Sequence, residues 1–176
     1  LHADAGSKLG MGHVYRTLAL AQELARHEIL IVTTKSMPLG KEFFESQVFS
    51  HQEISGASAL ASLAKEFAAD LVVLDILDTE LELVEGIRGT GAKVVSFEDM
   101  GPGATVADLV VSDLYPNQSL GDNQLTSVEN AVLAPSFESL SRKANIVKDV
   151  NHVLVLFGGT DPSGLALNSL RALEEI

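Results

Sequence analysis

Short apolar runs alternate with amphipathic stretches along most of this 176-residue chain. A short run of apolar, β-branched residues is typical of a strand buried in a parallel sheet, whereas apolar residues spaced three and four apart indicate a helix with one buried face. The runs predict strands at 29–33, 70–74, 93–97, 109–112 and 152–157, and we expect a first strand that ends at His2. The periodic stretches predict helices at 17–26, 41–47, 57–67, 80–88 and from about 165 onward.

This alternation predicts an α/β fold, with a Rossmann-like parallel sheet and flanking helices. Residues 115–130 are rich in Asn, Gln, Ser and Gly and predict a loop, and 135–149 indicate a connector. We therefore expect an N-terminal domain over residues 1–145. Residues 146–176 are then the connector and the first βα unit of a second domain that the chain does not complete.

Acidic side chains follow the predicted strands, at the point where each strand ends. They are Asp4, Asp75, Glu98, Asp99 and Asp113. The carboxyl ends of parallel strands meet at one edge of a sheet, where such folds bind their ligands. Each of these residues taken alone also suits a helix N-cap. Together they predict a polar, active-site edge.

A glycine-rich turn precedes the first predicted helix, in the stretch LGMGHVYRTLALAQELA at 9–25. Gly10 and Gly12 allow backbone conformations closed to other residues and let a ligand approach the main chain. The start of a helix favours an anion, and Arg16 adds a guanidinium one turn further on. His13 is suited to general-base chemistry near neutral pH. The alternative is a tight turn with a helix-capping histidine.

A second glycine-rich segment, FGGTDPSG at 157–164, lies between a predicted strand and a predicted helix. Gly158, Gly159, Thr160 and Asp161 form a candidate cradle for a diphosphate or a ribose. A purely structural turn is the alternative, because glycine-rich βα turns are common.

The common nucleotide-binding fingerprints are absent from the sequence. A dinucleotide fingerprint G-x-G-x-x-G would need glycine where Tyr15 stands, and there is no G-x-x-x-x-G-K-[ST] motif. This argues against NAD and against a P-loop NTPase.

The composition excludes several other classes of function. A net charge of −12 argues against a broad basic surface for nucleic acid or an anionic membrane. No apolar run approaches the roughly 18 residues of a membrane helix. The absence of cysteine excludes disulfides and thiolate metal sites and fits a cytoplasmic protein. His51 has no second ligand four residues on, and we predict no metal and no cofactor.

The two glycine-rich motifs, in this order and at this separation, resemble a known family. The pattern D-A-x-x-x-x-G-x-G-H-x-x-R-x-x-x-L-A over residues 4–21 is similar to the opening of the PseG-like and SpsG-like proteins. These are the UDP-sugar hydrolase of pseudaminic acid biosynthesis and the spore-coat polysaccharide biosynthesis proteins. Comparable segments are DLVVLD at 70–75, VVSFED at 94–99, VLAPSF at 132–137 and FGGTDP at 157–162, so the resemblance spans the whole chain.

The resemblance implies the GT-B architecture, two Rossmann-like domains that face each other across a cleft, as in the MurG glycosyltransferases. The second domain holds most of the nucleotide. His13 is then the general base that activates water for attack on the anomeric carbon of a UDP-linked amino sugar, and UDP leaves. The residues expected to contact the substrate are Asp4, Gly10, Gly12, Arg16, Asp75, Gly158, Gly159, Thr160 and Asp161.

One departure from the family pattern concerns the residues after Asp75. The hydrolases typically have histidine and tyrosine there, whereas this chain has Ile76 and Leu77. The sugar therefore stays open, within surface polysaccharide or nonulosonic acid biosynthesis. The alternative functions are a GT-B glycosyltransferase that passes the sugar to an acceptor and a nucleotide-sugar-binding module without turnover.

Overall fold

The computed structural model describes residues 1–6, 9–113, 123–137, 150–158, 161 and 163–174. Within these ranges seven strands form one parallel sheet in the order β3-β2-β1-β4-β5-β6-β7. This confirms the predicted α/β, Rossmann-like sheet. The strands are β1 (His2–Ala3), β2 (Leu30–Thr34), β3 (Ser50–Ile54), β4 (Leu71–Asp75), β5 (Lys93–Phe97), β6 (Leu109–Val111) and β7 (Gln124–Leu125).

Helices α1 (Gly12–Glu23) and α2 (Pro38–Glu45) pack on one face of the sheet, and α3 (Leu60–Glu66) and α4 (Leu81–Arg88) pack on the other. Helix α5 (Leu165–Leu173) has no buried residue. Short 3₁₀ helices lie at Ala57–Ala59, Pro102–Val106, Val128–Asn130 and Pro135–Phe137. The buried core under α1 and α2 includes Val14, Ile31 and Phe44. The core under α3 and α4 includes Leu74 and Val84.

The order of the strands reverses between β1 and β4. From β1 the chain winds outward through β2 and β3, and from β4 it winds the opposite way through β5, β6 and β7. The two central strands pair with Ala3 opposite Asp75. In open parallel sheets the crevice outside the carboxyl ends at such a reversal is where ligands bind.

Successive side chains of β4 point to opposite faces of the sheet, as in any strand. Leu74 packs in the core under α3 and α4, whereas Val73 packs with Phe97 and with Leu20 of α1. Asp75 has the same parity as Val73, so it faces α1. This alternation determines which helix meets the strand-end carboxylate.

The structure differs from the sequence-based prediction in three places. Strand β3 was not predicted, because its side chains are mostly polar and only Ile54 is buried. Strand β7 lies inside the predicted loop at 115–130. Helix α1 begins at Gly12 rather than at 17, which brings His13 into its first turn. The apolar run 152–157 pairs with no neighbouring strand in the described part of the chain, so the strand expected there, as part of the second domain, stays a prediction.

Candidate functional site

The loop between β1 and α1 depends on glycine in two different ways. Gly10 has φ of +80°, and its N–H donates to the carbonyl of Gly6 at 2.8 Å, which closes a tight turn. Other residues adopt this left-handed conformation only at a cost. Gly12 opens α1, and a Cβ atom built there meets no atom within 4 Å. A side chain could therefore be placed at Gly12 without a clash, at the first residue of the helix.

His13 joins the start of α1 to the end of β4. Its Nδ1 lies 2.5 Å from Oδ1 of Asp75, and its side chain is only 10% exposed. The hydrogen bond spans 62 residues of sequence and bridges the reversal between β1 and β4. The histidine predicted from the glycine-rich motif therefore lies at the predicted carboxyl edge, against an acidic strand end.

Asp75 is completely enclosed and bound by two side chains of α1. Its side chain has 0% exposure. Arg16 donates to it through Nε, 2.7 Å from Oδ2, and through Nη2, 2.6 Å from Oδ1. Burial alone raises the pKa of Asp75, but the hydrogen bonds from Arg16 and His13 outweigh it and hold the pKa below its ordinary value. Asp75 is therefore a carboxylate at neutral pH.

Arg16 is surrounded on its other sides as well. Its Nη1 lies 4.0 Å from Oε1 of Glu98, and its guanidinium carbon lies 5.1 Å from the centroid of the Phe97 ring. Burial lowers the pKa of Arg16, while the hydrogen bond and charge of Asp75 raise it to a higher net value. The guanidinium is therefore permanently charged, and its charge is already paired.

The arrangement of His13 and Asp75 places an imidazole in hydrogen-bond contact with a buried carboxylate. An imidazole takes or releases a proton near neutral pH, and a carboxylate on one ring nitrogen orients the ring. Among the described residues, no group of three or more His, Asp or Glu side chains is placed to hold a metal ion.

No protein-family model matches the chain. An uncharacterized protein of Methanocaldococcus jannaschii is 30% identical over 98% of this chain and 38% of its own length. The spore coat polysaccharide biosynthesis protein SpsG of Bacillus subtilis is 26% identical over 100% of this chain and 55% of its own length. This distant homology supports an SpsG-like family. The chain thus spans about two fifths to just over half of these relatives, and its sheet is consistent with part of a GT-B domain of SpsG-like proteins.

Asp4 lies beside the glycine-rich turn but makes a different contact from Asp75. Its Oδ1 accepts the N–H of Thr34 at 2.6 Å, and its Oδ2 lies 3.7 Å from Nε2 of His2. The carboxylate thereby joins the ends of β1 and β2. Its predicted contact with substrate stays a prediction.

The second glycine-rich segment is described only in part. Gly158 has φ of +65°, and both oxygens of Asp161 accept hydrogen bonds from the N–H groups of Leu165 and Ala166 at 2.8 and 2.9 Å. Asp161 therefore holds the start of α5. Gly159 and Thr160 lie outside the described residues, and the predicted contacts of this segment with a nucleotide remain untested.

Sequence reasoning missed one neighbour of Arg16, the aromatic ring of Phe97. Phe97 is an apolar residue of a strand, and only the three-dimensional fold brings it against Arg16. Glu98 was singled out as a strand-end acid, and it also accepts the N–H of Asp113 at 2.8 Å. Burial and the charge of Glu98 raise the pKa of Asp113. Asp99, the other acid of this turn, is structural, because it binds Thr79.

A cavity of about 460 Å³ lies at the opposite edge of the sheet. It is lined mainly by apolar side chains near the amino ends of the central strands, among them Leu30, Leu60 and Leu71. Neither His13 nor Asp75 reaches it, so we place the candidate site at the carboxyl edge. Among the described helices, none is long and apolar enough to cross a membrane.

Proposed function

We propose that this protein hydrolyses a UDP-linked amino sugar at its anomeric carbon, with His13 as the general base and release of UDP. The observation that carries the proposal is the contact between His13 and Asp75 at the strand reversal. It combines a group that can take a proton with the edge of the sheet where ligands bind.

The proposed reaction is a displacement by water. His13 removes a proton from water as the water oxygen forms a bond to the anomeric carbon. The bond from that carbon to the phosphate oxygen breaks, and its electron pair leaves with UDP. A diphosphate is a good leaving group, so a single base suffices for the step. We propose that the sugar approaches past Gly12, where the absence of a side chain leaves open space at the start of α1.

The comparisons support the biological setting of this proposal. SpsG is described as a spore coat polysaccharide biosynthesis protein, and the glycine-rich motifs resemble those of the UDP-sugar hydrolases. We therefore propose a role in the biosynthesis of a surface polysaccharide or a nonulosonic acid, with the protein acting in the cytoplasm as an enzyme on nucleotide sugars.

We also propose that residues 146–176 begin the second domain, which binds the nucleotide. Leu154 and Leu156 are largely exposed, as are Leu167 and Leu170 of α5. Such apolar surface is buried once further strands and helices pack on it. The left-handed Gly158 and the helix start held by Asp161 belong to this unit.

Transfer of the sugar to an acceptor is the alternative reaction. A histidine base removes a proton from an acceptor hydroxyl as readily as from water, and polysaccharide synthesis needs such transfers. A binding module without turnover is the third possibility, and it requires no proton transfer at all.

UDP release by the complete protein distinguishes these functions. A panel of UDP-linked 2,4-diamino and N-acetyl sugars is offered without an acceptor to the wild type, to His13→Gln and to the control His27→Gln, whose residue is exposed and lies away from the site. We expect release by the wild type and the control, and a loss of about 10²- to 10⁴-fold in His13→Gln. Release only on addition of an acceptor indicates a transferase. Binding without release, unchanged in His13→Gln, indicates a binding module and refutes the proposal.

A further inference from the structure

We infer that Asp75 and Arg16 are positioning residues that hold His13 in the tautomer with the proton on Nδ1, so that Nε2 is the atom that accepts the proton from water. The catalytic part of this inference rests on the proposed function, whereas the tautomer is a property of the protein without substrate. It assigns Asp75 and Arg16 a role different from the substrate contact expected from the family resemblance.

The proton in the short contact between His13 and Asp75 is supplied by the imidazole. Asp75 is ionised, because Arg16 holds both its oxygens, and an ionised carboxylate only accepts hydrogen bonds. The hydrogen bond to Nδ1 of His13 therefore requires the proton to be on Nδ1. In a neutral imidazole the other nitrogen then carries a lone pair. Within the described residues no hydrogen bond occupies Nε2.

Asp75 is enclosed too tightly to contact a ligand. Its side chain has no exposed surface, and both oxygens are engaged by α1. His13 and Arg16 are three residues apart, so they lie on the same face of the helix and reach the same carboxylate. Asp75 can therefore influence the proposed reaction only through its hydrogen bond to His13.

The positive charge of Arg16 is already paired with carboxylates of the chain itself. Two of its N–H groups bind Asp75, and its third nitrogen faces Glu98 at 4.0 Å. The side chain is only 17% exposed and lies over the ring of Phe97. An incoming phosphate would have to compete with two carboxylates for this guanidinium. The planar guanidinium instead forms two parallel hydrogen bonds to Asp75, and these fix the orientation of the carboxylate towards His13.

The tautomer is measured by nitrogen-15 NMR of the imidazoles in the chain without substrate, with His13→Gln used to assign the signals. We expect the wild type to show His13 with a protonated Nδ1 and an unprotonated Nε2. Asp75→Asn shifts the tautomer populations, because the amide can donate as well as accept. The control Asp99→Asn alters another buried strand-end carboxylate, whose partner Thr79 has a hydroxyl that can reverse its bond, and should leave His13 unchanged.

A wild-type His13 that carries its proton on Nε2, or one unaffected by Asp75→Asn, overturns the inference. Should Asp75→Asn fail to fold, Arg16→Lys serves in its place. Lysine keeps the positive charge but cannot form the two parallel hydrogen bonds to Asp75. We therefore expect the Arg16→Lys substitution to broaden or shift the NMR signals of His13.

Kinetics separates positioning from substrate binding at Arg16. A positioning role predicts that Arg16→Lys lowers kcat by about 10-fold or more and leaves KM within about twofold, whereas a phosphate contact predicts a raised KM with less effect on kcat. For Asp75→Asn we expect kcat to fall by about 10²- to 10⁴-fold. A raised KM in Arg16→Lys with unchanged kcat refutes the assignment. If no UDP sugar is hydrolysed but the NMR result holds, the proposed function fails and the tautomer assignment stands.

Discussion

The guanidinium of Arg16 lies over the ring of Phe97, with 5.1 Å between the guanidinium carbon and the ring centroid. Phe97 is the last residue of β5 and is almost fully buried. The guanidinium of Arg16, which is paired with Asp75, therefore packs on the aromatic face of Phe97. A cation over a desolvated aromatic face gains about 1–2 kcal/mol. This contact joins the apolar side chains that pack with Phe97, among them Val73 and Leu20 of α1, to the polar side chains at the carboxyl edge of the sheet.

Replacing Phe97 with leucine removes the aromatic face while keeping an apolar side chain. We expect the free energy of unfolding in urea to fall by about 1–2 kcal/mol. We also expect kcat for UDP release to fall, because Arg16 loses its support. The matched control is Phe44→Leu, which alters a buried phenylalanine in the core under α1 and α2. Equal loss of kcat in the two variants would show that Phe97 acts only through general stability.

The lowered pKa of Asp75 predicts how stability depends on pH. A carboxyl group whose pKa is lower in the folded state contributes stability that is fully present above its unfolded pKa of about 4 and is lost as the pH falls through the folded value. Other carboxylates titrate in the same range, so the quantity to measure is the difference in unfolding free energy between wild type and Asp75→Asn. We expect this difference to be largest at neutral pH and to shrink below about pH 4. A difference that stays constant from pH 7 to pH 3 would contradict the ionised pair.

The two glycines of the β1–α1 loop should respond oppositely to alanine. In Gly12→Ala the new methyl group enters open space at the start of a helix, so the melting temperature should be unchanged or higher. KM should rise, because the methyl group occupies the approach to His13. In Gly10→Ala the left-handed backbone costs about 1–2 kcal/mol and the melting temperature should fall. A destabilised Gly12→Ala, or one with unchanged KM, would argue against substrate passing this face.

The carboxylate of Asp161 protects the first amides of α5. Asp161→Ala removes the acceptor for the N–H groups of Leu165 and Ala166, and we expect a local loss of about 1 kcal/mol. Hydrogen exchange at these two amides should accelerate roughly fivefold, since 1.4 kcal/mol corresponds to a factor of about ten. Amides of β4 and β5 provide the internal control, and acceleration there as well would indicate a global rather than a local effect.

Much of the fold was predictable because it depends on local pattern. The strand prediction at 93–97 matches β5, and the prediction at 70–74 matches β4 within one residue. Strand β3 could not be found in this way, since Ser50 and Gln52 are exposed and the strand carries no apolar signal. The run at 152–157 presents the opposite case: its composition suits a strand, but it pairs with no strand among the described residues, and composition does not reveal which neighbour would pair with it.

The sequence predicted which residues belong to the candidate site, but it did not predict which of them contact each other. The glycine-rich turn and the rule about strand ends point separately to His13 and to Asp75. Their contact depends on the parity of β4 and on the exact start of α1, neither of which follows from spacing alone. The same holds for Arg16, because its position in the sequence is compatible both with binding an anion from solution and with binding a carboxylate of the same chain.

The ladder between β1 and β4 has a consequence for how the protein assembles. The strands β1, β2 and β3 and helices α1 and α2 are all encoded before residue 55, yet the partner of His13 arrives only with residue 75. Contacts between residues far apart in sequence form against a larger loss of chain entropy. The imidazole is therefore fixed only when the two halves of the sheet have joined. The NMR signals of the His13 imidazole would therefore report, during refolding, when strands β1 and β4 have paired.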